Sequence, residues 1–158
     1  MKYSIDTSAI LDGWSRYYPP DVFPDLWDKR LDHLIAKGAL RATEMVLQEL
    51  ERKHDEVYQW AKQRDALFIP INEEIQTHVS EILTKSPRLI DERSGRSNAD
   101  PFVIALARMN GCAVLTGEKP TNRPNRPKIP DVCDAFGIRW LSILEVFRQE
   151  GWTFVISP

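Results

Sequence analysis

The chain has 158 residues, of which 42% are hydrophobic and 28% charged, a balance typical of one globular domain, so we expect a single domain over residues 1–158. The apolar stretch 102–107 is much shorter than the roughly 20 residues that cross a bilayer, and the sequence does not open with a basic-then-apolar signal, so neither export nor membrane insertion is predicted. A net charge of −2 argues against binding of nucleic acid by bulk positive charge.

Short apolar segments alternate with helical patterns along the first half of the chain. The alternating side chains of residues 1–5 predict a strand that ends at Asp6, because Thr7 and Ser8 favour turns and helix caps. The segments that follow are an irregular stretch at 17–24, a helix at 26–38, a brief apolar segment at 40–42, a helix that begins after Thr43 and extends as far as residue 64, and an edge strand at 67–70.

The second half of the chain repeats this alternation. Its predicted elements are a helix capped by Asn72, a loop at 87–96, an almost wholly apolar helix at 98–109, a strand at 113–115, a helix at 131–136, a strand at 138–141 and a helix at 142–149. Strands that alternate with helices indicate crossover units on a mainly parallel sheet of about five strands, with helices on both faces.

Two acids follow predicted strands. In parallel sheets of this kind, the active crevice lies beyond the carboxyl ends of the strands. Asp6 directly follows the first strand, and Glu118 comes shortly after the strand that ends at Leu115. The sequence therefore predicts two carboxylates on one edge of the sheet.

Glu49 interrupts the apolar face of a predicted helix. A step of about 100° per residue places Glu49 on the same arc as Val46 and Leu50. Burial of an ionised carboxylate without a partner is costly, so we expect a cation beside Glu49, either a basic side chain or a metal. A salt bridge within the core and a partly exposed acid are the alternatives.

Asp100 precedes Pro101 at the start of the apolar helix, which is a common capping arrangement. Asp6 can likewise serve only as the cap of the helix after it. Together, however, the dispersed acids Asp6, Glu49 and Asp100 fit a site for Mg²⁺ or Mn²⁺, because these ions take oxygen ligands and neutralise charge during phosphodiester hydrolysis.

The other reactive residue types offer no rival site. The sequence lacks a phosphate-binding glycine loop, a nucleophile elbow and an HExxH motif. Cys112 and Cys133 form no CxxC pair, and we expect both to be reduced thiols in a cytosolic protein. The histidines are isolated on polar stretches and are predicted at the surface: His33, His54 and His78.

Basic and aromatic residues are concentrated in two further segments. The stretch 119–128 is either a phosphate-binding surface or a solvated loop, because it contains no acid and these basic residues: Lys119, Arg123, Arg126 and Lys128. An aromatic group near the first helices is either part of the core or a surface for a protein partner or a second subunit: Trp14, Tyr17, Tyr18, Phe23 and Trp27.

Three segments resemble the PIN-domain nucleases. YSIDTS at residues 3–8 is similar to the opening strand of that family and its first metal-binding aspartate. VLQEL at residues 46–50 is similar to the helix that carries the family's glutamate, and NADPFVIALA at residues 98–107 is similar to the central helix that the next aspartate heads. The resemblance covers about residues 1–145, and it implies a three-layer α/β/α fold of the PIN type.

The resemblance also implies an activity, which is Mg²⁺- or Mn²⁺-dependent cleavage of single-stranded RNA. The family includes bacterial VapC-like toxins of type II toxin-antitoxin pairs, which a partner antitoxin holds inactive. By this resemblance Asp6, Glu49 and Asp100 are metal ligands. Where an aspartate is usual after the fourth strand, this chain has Thr116-Gly117-Glu118, so the predicted fourth acid is Glu118 or Asp131.

We therefore predict a cytoplasmic metal-dependent endoribonuclease in which Ser8 orients a ligand or water and the basic stretch 119–128 binds flanking phosphates. The altered fourth acid leaves open a catalytically degenerate module that binds RNA or protein without cleavage. A nuclease that acts on DNA flaps is a third reading, and the short chain without added helical arches argues against it.

Overall fold

A computed structural model gives the fold, and it describes residues 1–90 and 98–155. The strands in this part of the chain are β1 Tyr3–Ile5, β2 Leu40–Thr43, β3 Phe68–Ile69, β4 Ala113–Leu115 and β5 Trp140–Leu141. They form one sheet in the order β3-β2-β1-β4-β5, and every neighbouring pair is parallel. The predicted parallel sheet is confirmed, and β3 lies at its edge as expected.

Helices connect the strands and form the outer layers. The α-helices of the described residues are α1 Thr7–Asp12, α2 Leu31–Ala36, α3 Glu44–Lys53, α4 Asp55–Lys62, α5 Glu73–Lys85, α6 Asp100–Asn110, α7 Ile129–Phe136 and α8 Ile143–Gln149. Two π-helical segments, Gly13–Tyr17 and Leu26–Arg30, extend α1 and precede α2. The three-layer α/β/α arrangement is thus as expected.

Two predicted segments differ from the structure. The long helix expected to run to residue 64 is two helices, because the backbone of His54 is extended (φ −162°, ψ 109°) and its Nδ1 accepts a hydrogen bond from the amide of Val57 at 3.4 Å. His54 thereby ends α3 and caps α4. Of the loop predicted at 87–96, Pro87–Leu89 forms a 3-10 turn, whereas residues 91–97 lie outside the described residues.

The centre of the core is the contact between β1 and α6. α6 is buried around most of its circumference, as its apolar sequence predicts. Ser4 of β1 turns its hydroxyl towards this helix and donates a hydrogen bond to the backbone oxygen of Val103 at 2.8 Å. This bond fixes the height of α6 along the central strand.

The carboxyl ends of three strands are level with one another. Ile5 pairs with Leu115, and Leu115 pairs with Leu141. The amide of Asp6 donates to the oxygen of Leu115 at 2.8 Å, and the amide of Thr116 donates to that of Leu141 at 2.9 Å. The residues that follow β1, β4 and β5 therefore meet at one edge of the sheet, which we call the carboxyl edge.

The aromatic group is mostly core. Trp27 is fully buried, and Trp14, Tyr18 and Phe23 pack against the core, but Tyr17 is 63% exposed. Of the two alternatives for this aromatic group, core and partner surface, core is therefore correct for most of its members, because their rings contact one another and α8.

Among the polar residue types, His33 is exposed as predicted, whereas His54 and His78 are half-buried. Neither cysteine forms a disulfide. None of the helices within residues 1–90 and 98–155 is long and apolar enough to cross a membrane.

Candidate active site

Asp6 lies at the carboxyl end of the central strand and is only 2% exposed. Its Oδ2 accepts hydrogen bonds from the hydroxyl of Ser8, from Thr116 Oγ1 at 3.1 Å and from the amide of Ser8 at 3.3 Å. The last bond makes Asp6 the cap of α1, so the capping role considered from the sequence is real. It leaves Oδ1 for other partners, and capping does not exclude a second role.

Burial raises the pKa of Asp6 from 3.8 to about 6. The hydroxyl of Ser8 opposes this shift, and the negative charge of Glu118 adds to it, with a smaller contribution from Glu49. Acids from β1, from α3 and from the segment after β4 thus lie within electrostatic range of one another. We call Asp6, Glu49 and Glu118 the acid cluster.

Glu49 lies on the buried face of α3, as predicted, and is 5% exposed. Its Oε2 accepts a hydrogen bond from Thr7 Oγ1 at 2.6 Å, so α1 holds the side chain in place. Its Oε1 lies 2.9 Å from Nζ of Lys53, one turn further along the helix. The cation expected beside Glu49 is therefore a lysine, and this lysine is 44% exposed.

Asp100 is the first residue of α6, whereas Ala99 is the helix cap. The capping role considered for Asp100 is thus wrong. Val103 is level with Ser4, and Asp100 precedes it by one turn, about 4.5 Å along the helix axis. α6 ends near the start of β4, which is at the opposite edge of the sheet from Asp6. The first turn of α6 therefore lies on the side of Asp6, and Asp100 is buried at the carboxyl edge.

Glu118 has its carboxylate against the start of α7. Its Oε2 accepts a hydrogen bond from the amide of Ile129 at 3.0 Å, and its Oε1 lies 3.9 Å from Nζ of Lys128. The amide of Glu118 donates to Thr116 Oγ1 at 3.1 Å, which links it to the hydroxyl that contacts Asp6. Glu118 therefore lies beside Asp6 and also holds the end of the basic stretch 119–128, which we call the basic loop.

Asp131, in the first turn of α7, binds backbone amides of the basic loop. Its carboxylate accepts hydrogen bonds from the amides of Thr121 at 3.0 Å, Asn122 at 2.8 Å and Lys128 at 2.8 Å. Burial alone would raise the pKa of Asp131, but these amides and the Thr121 hydroxyl lower it below its ordinary value. The loop depends on this carboxylate.

The basic residues of this loop are mostly exposed. Lys119, Arg123 and Arg126 face solvent, and Lys128 is half-buried beside Glu118. The pKa of Glu145 in α8 is lowered mainly by hydrogen bonds from Ser142 and, to a smaller extent, by the charge of Lys119. Lys119 therefore also lies near the start of α8. The loop therefore presents positive charge next to the acid cluster.

The donor set of this site consists of oxygen atoms, which is the chemistry that Mg²⁺ and Mn²⁺ require. Within residues 1–90 and 98–155, however, no three Asp, Glu, His or Cys side chains are already gathered as ligands around one point. Lys53 occupies one oxygen of Glu49, and the pKa of Asp6 is raised by burial first and then by the charges of Glu118 and Glu49. The cluster fits a divalent cation in donor type and charge, and side-chain movement is needed to close around it.

Three contacts of this site were not predicted from the sequence. Thr116 and Thr7 orient the two buried acids, and Lys53 pairs with one of them. The spacing of Glu49 and Lys53 is the i, i+4 pattern of helical ion pairs, so this pair was readable from the sequence. The hydroxyl contacts join distant parts of the chain and leave no local pattern.

A family model described as "Domain of unknown function (DUF4411)" matches residues 3–154. No curated protein matches the chain significantly. Solved structures share its fold at low sequence identity. A chain of VapBC-1 from nontypeable Haemophilus influenzae is 16% identical with a TM-score of 0.51, and the alignment covers 90% of this chain and 98% of that one.

Two further solved structures give the same result. A chain of VapBC2 from Rickettsia felis, solved with a DNA fragment from the promoter, is 16% identical with a TM-score of 0.52 and coverage of 90% and 98%. A chain of FitAB bound to the IR36 DNA fragment is 13% identical with a TM-score of 0.53 and coverage of 89% and 94%. The expected PIN-like fold is confirmed.

Proposed function

We propose that this chain, which belongs to the family described as "Domain of unknown function (DUF4411)", is a metal-dependent ribonuclease whose active site is the acid cluster together with Asp100. The observation that carries the proposal is the buried Asp6 carboxylate, whose pKa burial and two nearby acids raise to about 6 at the carboxyl edge of a PIN-like fold. A buried carboxylate with a raised pKa at the end of a central strand is typical of a functional site.

Asp6, Glu49, Asp100 and Glu118 would hold the Mg²⁺ or Mn²⁺. When bound, the ion supplies a water of lowered pKa and neutralises charge on the scissile phosphate. Glu118 suits the place of the fourth acid better than Asp131 does. The charge of Glu118 acts on Asp6, whereas the carboxylate of Asp131 is engaged by backbone amides of the loop.

The other side chains of the site bind and orient. The hydroxyls of Ser8 and Thr116 hold Asp6, and that of Thr7 holds Glu49. Lys53 offsets the charge of Glu49 in the metal-free site and is exposed enough to turn into solvent when a divalent cation binds. The basic loop would bind phosphates on either side of the bond that is cut, because its exposed cations lie next to the acid cluster.

We further propose that the protein is the toxin of a type II toxin-antitoxin pair and acts on single-stranded RNA in the cytoplasm. The likeness in fold to chains of VapBC and FitAB structures supports an antitoxin partner. Co-expression with the product of an adjacent reading frame tests the partner. A stable complex that suppresses RNA cleavage is expected, and free cleavage in the presence of that product would count against it.

The central test is cleavage of a labelled single-stranded RNA with Mn²⁺ by the protein and by an Asp100→Asn variant. The variant should lose activity and keep its fold, because the change removes a charge at the carboxyl edge and almost no volume. Asp65→Asn is a matched control, since Asp65 is an exposed acid far from the site in the chain. Cleavage by Asp100→Asn at the parental rate would refute the assignment.

A second candidate is a degenerate module that binds RNA or protein without cleavage. The ion pair between Glu49 and Lys53 favours it, because a permanent lysine counter-ion makes a metal unnecessary. Calorimetric titration with Mn²⁺ separates the two functions. A nuclease should bind the ion with heat that Asp6→Ala abolishes, and a degenerate module should give no such heat.

A further inference from the structure

A cleft of about 260 Å³ lies beside the acid cluster at the carboxyl edge. It runs between α1, the segment after β4 and the start of α8. Thr116 and Gly117 form one wall, and both are linked to Asp6: Thr116 by its own hydrogen bond, and Gly117 through its amide, which donates to Ser8 Oγ at 3.0 Å. A group bound in this cleft is therefore held next to the acids.

The remaining walls are mostly apolar and partly aromatic. Ala9 and Gly13 line the side of α1, and Ile143 and Leu144 line the side of α8. Tyr17 stands at the opening with 63% of its surface exposed. An exposed aromatic ring beside an apolar slot is suited to a flat, weakly polar ligand that stacks on the ring.

Tyr18 supports the position of this ring. The centroids of Tyr17 and Tyr18 are 6.3 Å apart, and Tyr18 packs in turn against Phe147 of α8 with a centroid distance of 4.9 Å. Tyr17 is thus attached to the core through Tyr18 while its own outer face is open. The ring is a supported platform at the mouth of the cleft.

The charges around the cleft distinguish between possible occupants. Among the described residues, the lining contains one cation and one acid. Lys119 is exposed and belongs to the basic loop that follows Glu118, whereas the charge of Asp12 is offset by Arg16 at 3.4 Å. An apolar slot with a lysine in its lining, and with Thr116 in the wall that contacts Asp6, matches one nucleotide unit of a strand. A base would lie in the slot, one phosphate on Lys119, and the neighbouring phosphate at the acids.

We propose that this cleft binds one nucleobase of the RNA strand and that Tyr17 stacks on it, next to the phosphate that is cut. This inference rests on the proposed function for the nature of the strand. The cleft sets which nucleotide is placed beside the acids, so Tyr17 is a residue for substrate binding and not for the chemical step.

The test measures binding without any cleavage. Short single-stranded RNAs that each carry 2-aminopurine at one position are titrated with the protein in Ca²⁺, which offers the acids a cation so that they do not repel the phosphate, and strands that stay intact confirm that no cleavage occurs. One position should show quenched fluorescence on binding, and removal of the base at that position should weaken binding about tenfold. Tyr17→Ala should cause a similar loss and abolish the quenching, whereas Tyr17→Phe should retain both.

Tyr58→Ala is the matched control, because Tyr58 lies on α4 and does not line the cleft. Equal binding of all abasic strands, or unchanged quenching in Tyr17→Ala, would overturn the proposal. The cleft would then be assigned to a side chain of a protein partner. Absence of any RNA binding would overturn it as well. Base-dependent binding by a protein that cuts no RNA would support the cleft and refute the nuclease, so the two failures are distinguishable.

Discussion

Replacement of Asp6 by Asn should make the metal-free protein more stable at neutral pH. The pKa of Asp6 is about 6 in the folded protein and 3.8 as the ordinary value. A raised pKa means that the folded state binds the proton more tightly than the unfolded state does. Stability is therefore lost as the pH rises from 3.8 to about 6, and above this window the ionised carboxylate carries its full cost.

The size of this cost follows from the shift. A difference of about two pKa units at about 1.4 kcal/mol each gives roughly 3 kcal/mol as an upper value. Asparagine keeps an oxygen that accepts from the hydroxyls of Ser8 and Thr116 and has no charge to desolvate. We expect the free energy of unfolding of Asp6→Asn at neutral pH to exceed that of the parent by about 1–3 kcal/mol.

Urea unfolding from about pH 4 to about pH 8 measures the difference as a function of pH. The gain should be small at the acid end and grow through the window. Addition of Mn²⁺ should then stabilise the parent and not the variant, because the variant lacks one charged ligand of the proposed metal site. A gain that does not depend on pH, or a variant that is less stable than the parent at neutral pH, would refute the reasoning. Asp65→Asn should show neither effect.

Three other changes probe the surroundings of the acid cluster. Asp131→Ala should lower the free energy of unfolding by about 1–2 kcal/mol in urea melts, because half-buried amides of the basic loop lose their acceptor; an unchanged midpoint would contradict this. Gly117→Ala should cost about 1–3 kcal/mol, seen as a lower Tm, because its Cβ would lie 3.1 Å from the backbone oxygen of Ser8, which cannot turn away as the nearby Asp12 side chain can. Lys53→Met should raise the affinity for Mn²⁺ roughly threefold to fivefold in calorimetry, because a cation that competes for Glu49 is removed; equal affinities would show that Lys53 does not compete.

The sheet and the central helix were predictable from the sequence because their residues obey local rules. Apolar strands end at polar residues, so the position of Asp6 after β1 was visible in the chain itself. The apolar circumference of α6 identified it as the buried helix. Where the chain departs from a single pattern, as at His54, the hydrophobic period continues through the break and gives no warning.

The burial of Asp6 and Glu49 was predictable from the sequence, whereas their partners were not. Glu49 revealed itself by its place on an apolar face, but the identity of its counter-ion required the distance to Lys53. The sequence left Glu118 and Asp131 as alternatives for the fourth acid. Their contacts distinguish a carboxylate whose charge acts on Asp6 from one that accepts from the amides of a loop. Such contacts depend on tertiary packing, which no local pattern encodes.

The position of β1 also determines when the acid cluster can assemble during translation. This strand is the first to be synthesised, yet it lies in the middle of the sheet, and its neighbour β4 is added only after more than a hundred further residues. Asp6 is therefore synthesised well before Glu49, Asp100 and Glu118, the acids that lie with it at the carboxyl edge. The proposed active site is therefore incomplete until the nascent chain has passed Glu118.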